Sequence, residues 1–136
     1  MRLPFLSLIA LCAGCVRPPV TQTPPSAAPD ATVREVATYR SLLASGDSMQ
    51  VTIREVSYPP GGTSASHRHP CAVVGYVLEG QVRFAVGDAP ERVLGPGATF
   101  HEFPGEEHRV SANASRTEPT RFLATFICPV TPAGAR

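Results

Sequence analysis

Residues Ser66–Gly80 read SHRHPCAVVGYVLEG. His67 and His69 stand two apart. In an extended chain, positions i and i+2 project to one face, so both imidazoles can approach one ion. Pro70 punctuates the segment, and the apolar run Ala72–Leu78 closes on Glu79-Gly80. That run is short, rich in β-branched residues and bounded by turn residues, which reads as a buried strand. Gln81–Val86 follows as its hairpin partner, ended by Gly87-Asp88.

The same texture continues on either side of this stretch. Met49–Ser57, MQVTIREVS, alternates with period two and is broken by Pro59-Pro60-Gly61-Gly62. Arg92–Leu94, Ala98–Phe103, His108–Ala112 and Pro119–Cys128 are further short strands separated by Gly and Pro. Val33–Arg40 fits a strand or a short helix. No amphipathic helix and no internal repeat is evident. Seven or eight short strands at this spacing predict an all-β sandwich or barrel. The composition agrees, with 11 glycines, 15 prolines and no tryptophan in 136 residues. A chain of this length suits one domain. The formal net charge is +1, from 12 basic and 11 acidic residues, and the basic residues are scattered, so no nucleic-acid-binding stripe is predicted.

The N-terminus reads differently. MRLPFLSLIALCAGC begins with a positive charge, runs through an apolar stretch too short to span a bilayer, and reaches small residues before Cys15. It reads as a signal peptide over 1–15 and resembles a lipobox, with Cys12 standing where Leu is usual and Leu11 one place earlier. The expectation is a lipidated Cys15 as mature N-terminus, with an ordinary cleaved signal and then a retained anchor as alternatives, and the lipoprotein resemblance, with Val16 and not Asp after the cysteine, implies outer-membrane sorting. Residues 16–32 form a Pro-rich tether, and 33–132 the folded domain. The protein is thus expected to be exported, periplasmic, and to touch a membrane only through its lipid anchor. An exported location permits a disulfide between Cys71 and Cys128, and residue spacing leaves that pairing open.

The chemistry-bearing residues converge on one pattern. Gly61 is followed by five residues, His67-Arg68-His69, three residues, Val73, six residues and Gly80. Farther on stand Gly97, Pro104-Gly105-Glu106-Glu107-His108 and Asn113. Both stretches resemble the two motifs of the cupin superfamily, in its small single-domain form. The resemblance runs from about Met49 to Cys128 and implies a jelly-roll β-barrel, often a homodimer, with a metal in its mouth. It implies His67, His69 and His108 as ligands. Where the family usually carries a ligand Glu, this chain has Val73, which cannot bind a metal. Glu102, where many relatives are apolar, is the candidate replacement from a neighbouring strand. The alternative for Glu102 is a solvent-facing side chain or one paired with Arg109.

Imidazole and carboxylate accept Zn, Mn, Fe, Ni or Cu, so one divalent transition metal of unspecified identity is expected. His101 has opposite parity to Glu102 and should face away. Tyr76, Phe84 and Phe100 are expected to line the barrel and shape an apolar pocket for a small-molecule ligand or substrate. A purely structural barrel that has lost its metal is one reading, favoured by Val73 and opposed by His67, His69 and His108, and two further function classes compete with it. One is a metal-dependent enzyme, dioxygenase- or isomerase-like, on a small molecule. The other is a non-catalytic envelope module that captures a small ligand or metal. Fold alone does not separate them.

Overall fold

The computed structural model describes residues 30–130, all of them in strands, turns and loops. The signal peptide, Cys15 and nearly all of the tether lie outside the described residues. Ten strands succeed one another: β1 Thr32–Leu42, β2 Ser48–Tyr58, β3 Thr63–Ser64, β4 His67–Arg68, β5 Ala72–Glu79, β6 Val82–Val86, β7 Arg92–Leu94, β8 Thr99–Glu102, β9 Glu107–Asn113 and β10 Thr120–Val130. The segment readable as strand or helix is therefore strand β1. It starts at Thr32, one residue inside the expected tether, and Asp30 already makes a parallel bridge to Thr63.

The strands form two antiparallel sheets. One has the order β1-β2-β10-β5-β8, the other β3-β9-β6-β7, with β4 also paired to β9. Sequence neighbours are often not sheet neighbours, since β2 and β5 both pair with β10. That crossing pattern makes the pair of sheets a jelly-roll barrel rather than a meander. Val56, Tyr58, Val73, Val77, Val82, Leu94, Phe84, Phe100 and Phe122 fill the space between the sheets. Burial of each such side chain contributes about 1.5–3 kcal/mol, the main favourable term of the fold.

Parity on β5 sets what faces inward. Val73, Gly75 and Val77 are buried, while Val74 and Tyr76 are exposed. Gly75 lies opposite Phe100 on β8, and a Cβ there would fall within the Phe100 ring. The glycine thus lets an aromatic side chain cross the sheet face, a close approach that needs the missing side chain.

Two further ties hold the strap between β4 and β5. Cys71 and Cys128 are disulfide-bonded, with their Cα atoms 5.0 Å apart. Gly105 N–H donates to the His69 carbonyl at 2.8 Å, joining that strap to the Pro104-Gly105 turn. Gly105 has φ +76°, so the turn needs a residue without Cβ there. Asn113 closes the far end. Its amide nitrogen donates to the carbonyls of Pro59 and Glu118, and its Oδ1 accepts from Ser115 N–H.

Candidate metal centre

β4 and β9 place two of the histidines directly opposite each other. His67 pairs with His108 in register, and Arg68 with Glu107. The pairing is reinforced outside the cavity, where Arg68 donates to Glu107 and to the Gly105 carbonyl, both at 2.8 Å. His69 lies just past β4 and turns to the same side as His67. Glu102 arrives from the other sheet, at the end of β8. The group therefore draws on both sheets, with His67 and His108 from one and Glu102 from the other.

Glu102 is cross-strand to Val73. Directly opposed residues of an antiparallel pair project to the same face from points about 5 Å apart. A carboxylate at 102 thus enters the cavity beside the place a carboxylate at 73 would occupy. It is 3% exposed, and Arg109 is engaged elsewhere, donating to the carbonyls of Gly87 and Ala89. Neither the solvent-facing reading of Glu102 nor its pairing with Arg109 holds.

The polar atoms converge. The Nε2 atoms of His67 and His69 are 3.1 Å apart. Glu102 Oε2 lies 3.7 Å from His69 Nε2, and Glu102 Oε1 lies 3.1 Å from His108 Nδ1. His67, His69 and Glu102 each offer a ligand atom within 4.8 Å of the others. His108 stands against this trio rather than within it, its ring 5.1 Å from that of His67 and packed on Phe84.

Tautomers follow from the partners. His67 Nδ1 lies 2.7 Å from the Ala65 carbonyl, which can only accept, so this nitrogen carries the proton. In the neutral ring the Nε2 lone pair is then aimed at His69, the arrangement by which an outer hydrogen bond presents a histidine to a metal. Among the described residues three buried side-chain atoms have no hydrogen-bond partner, Arg121 Nε and, in this part of the barrel, Glu102 Oε2 and His108 Nε2. Leaving such groups unpaired in a buried site is costly, and a cation is the partner that fits a carboxylate oxygen beside imidazole nitrogens. The donor set suits a borderline transition metal. Burial pushes the His69 imidazole below its ordinary 6.5. The Glu102 carboxylate opposes this, and the neighbouring His67, His108 and Arg54 side chains add to the lowering. The neutral, metal-binding form of His69 is thereby favoured.

A cavity of about 140 Å³ opens over these groups. Its apolar wall is Val33, Val56, Val73, Phe122, Ala124 and Phe126, and its polar wall adds Arg54, Tyr58, Ser64 and Ser111. The expected lining of Tyr76, Phe84 and Phe100 needs correction. Tyr76 is 47% exposed on the outer face, because it is one residue out of step with Val73 and Val77. Phe84 and Phe100 are buried, their rings 4.5 Å apart, but they pack behind the site as core and do not reach the cavity. Tyr58, Phe122 and Phe126 take that place. Their inward parity on β2 and β10 is set by sheet register, which only the assembled barrel specifies. His101 is exposed and packs edge-on against Phe103, away from the cluster, as its parity predicts.

Comparison with known proteins gives a consistent picture. The family described as the cupin domain matches residues 54–126. A cupin-domain-containing oxidoreductase, srdB, of Neurospora crassa is 34% identical over 77 residues, which are 57% of this chain and 38% of that protein. The matched part thus spans well under two thirds of that relative. Among solved structures, a cupin domain from Bordetella pertussis superposes with a TM-score of 0.56 at 23% identity, covering 74% of this chain and 96% of that one. A putative mannose-6-phosphate isomerase from Ralstonia eutropha gives 0.55 at 25% identity, covering 75% and 88%.

Proposed function

This chain belongs to the cupin domain family, and from that premise we propose that its barrel binds one divalent transition metal through His67, His69, Glu102 and His108 and acts on a small molecule in the cavity above it. The observation that carries the proposal is Glu102 Oε2, a buried carboxylate oxygen with no hydrogen-bond partner, 3.7 Å from His69 Nε2 where the His67 and His69 imidazoles converge.

When bound, such an ion supplies Lewis acidity toward a ligand oxygen, and a redox-active one also supplies one-electron chemistry. The chain's own residues do the rest. Ala65 O holds the His67 tautomer. Val73, Phe122 and Phe126 keep the cavity apolar and limit water. The hydroxyls of Tyr58, Ser64 and Ser111, linked at 2.6 and 2.8 Å, can exchange a proton or hydrogen bond with a bound molecule. The oxidoreductase relative and the putative isomerase neighbour support an enzymatic reading, dioxygenase- or isomerase-like. A capture module without turnover is the second reading, favoured by the small size of the cavity.

Metal content of protein purified without chelator tests this. Near-stoichiometric metal is expected in the parent, with loss in His67→Ala and marked reduction in Glu102→Gln. A metal-free parent that does not reload would refute it.

The remaining expectations belong to the same proposal. Cys15 lipidation and export would appear as fatty-acid labelling lost in Cys15→Ser. A homodimer is supported by the outer face of the larger sheet, where Tyr39, Val74 and Tyr76 are 64%, 44% and 47% exposed. Sedimentation of a Tyr76→Glu variant as monomer would accord with it.

A further inference from the structure

We propose that Arg54 is the anion-recognition group of this cavity, and that the molecule it takes is a small carboxylate. The carboxylate would sit on the Arg54 guanidinium and the opposite end of the molecule would face His67, His69 and Glu102. The inference rests on the reading of this cavity as the ligand site.

Arg54 lies on β2 and lines the cavity. Its guanidinium carbon stands 4.8 Å above the Phe126 ring, and that ring meets His69 edge-on at 4.9 Å between centroids. One aromatic ring therefore separates the guanidinium from the imidazole cluster. Stacking fixes the plane of the guanidinium and leaves its N–H fork to a planar, bidentate acceptor.

What Arg54 lacks matters equally. Among the described residues it makes no ion pair and no side-chain hydrogen bond, whereas neighbouring arginines are engaged. Arg34 pairs with Glu55, and Arg121 with Glu55 and Glu79. Glu35 lies cross-strand from Arg54, but its carboxylate accepts from Thr38 instead. An arginine at a cavity mouth with an aromatic rest and no acid of its own is arranged for an acid supplied from outside.

Charge and size point the same way. Glu102 is the one carboxylate among the cavity's described lining residues. With neutral histidines, a divalent ion and Arg54 leave the site net positive, and an anionic ligand balances it. A cavity of about 140 Å³ is well below the roughly 300 Å³ where ordinary small-molecule pockets begin, so it admits an acid of only a few heavy atoms. The Tyr58 and Ser64 hydroxyls can receive a second oxygen of that acid.

Calorimetric titration of the purified chain tests this, with glycolate and oxalate as probes, ethylene glycol as uncharged control and inorganic phosphate as competitor. Each is measured on metal-free and zinc-loaded protein, for the parent, Arg54→Gln and Arg54→Lys. Both acids should bind the parent and bind Arg54→Gln about tenfold or more weakly, with Arg54→Lys between them. Ethylene glycol should not distinguish the three. Equal acid affinity in parent and Arg54→Gln would overturn the proposal, as would absent acid binding in both metal states, or tighter binding of phosphate than of either acid. Zinc affinity is read separately and should not fall in Arg54→Gln. A parent that takes no zinc yet shows Arg54-dependent acid binding would sink the metal centre and leave this inference standing. Unchanged melting of both variants excludes misfolding as the cause of any loss.

Discussion

Breaking the Cys71–Cys128 bond should destabilise this barrel strongly. The bond closes a loop of 57 residues. Releasing that constraint returns conformational entropy to the unfolded chain worth about 4 kcal/mol at 25 °C. For a domain of about 100 residues, such a loss lowers the melting midpoint by roughly 15–30 °C. The site should feel it too, because Cys71 follows His69 by two residues in the strap that joins β4 to β5. Without the bond, Gly105 N–H to His69 O is the remaining backbone tie from that strap to the β8–β9 turn. Thermal melts followed by circular dichroism, with and without a phosphine reductant, give the number. The Cys71→Ser/Cys128→Ser protein serves as the control that reductant cannot affect. Zinc affinity measured on the same samples should fall with the midpoint. Oxidised, reduced and double-serine proteins melting within a few degrees of each other would refute the loop-closure reasoning.

Other expectations are sharper about the site. Exchanging the cross-strand pair, Val73→Glu with Glu102→Val, should recover much of the zinc affinity that Glu102→Val alone loses; no recovery in a folded double variant would show that the two positions are not equivalent. Metal-free stability should depend on His69. Its imidazole is held below 6.5 in the fold, so the unfolded chain takes up the proton first, and stability present above that value is lost as pH falls below it. Urea midpoints between about pH 7 and 5 should show this decline, and His69→Gln should flatten it. Gly75→Ala should cost about 1–3 kcal/mol through overpacking against Phe100, read as a lower urea midpoint with an unchanged slope.

Much of this architecture was legible in local pattern. The alternation of Met49–Ser57, the run Ala72–Leu78 and the Gly-Pro punctuation give β2, β5 and most later strands to within a residue or two. The two-residue strands β3 and β4 escape such reading, since two residues carry no periodicity. Facing is the harder property. On β2 the apolar set Val51 and Ile53 is only half-buried, while Thr52, Val56 and Tyr58 turn inward. Hydropathy would choose the opposite face, but the strand's register with β10 decides. The same cause misplaces Tyr76 and hides Tyr58 and Phe126. His67 with His69 is visible because i, i+2 geometry is local. The partnership of Glu102 with Val73 is not local, and it needed a known pattern with one member missing to suggest it. Arg54 carried no signal in sequence; its meaning comes from the ring beneath it and the acids that do not reach it.

The candidate ligands are shared between two sheets, and this has a thermodynamic consequence. An ion held by His67 on one side and Glu102 on the other would work as a clasp, because the sheets could not part while it stayed bound. Occupancy and closure of the barrel then become one equilibrium. At a metal concentration a hundredfold above Kd, the closed form gains about 2.7 kcal/mol over any state in which the sheets have separated. Backbone amides of β8 and β9, on opposite sides of the clasp, would then slow their hydrogen exchange together when metal is added, and release it together when a chelator takes it away.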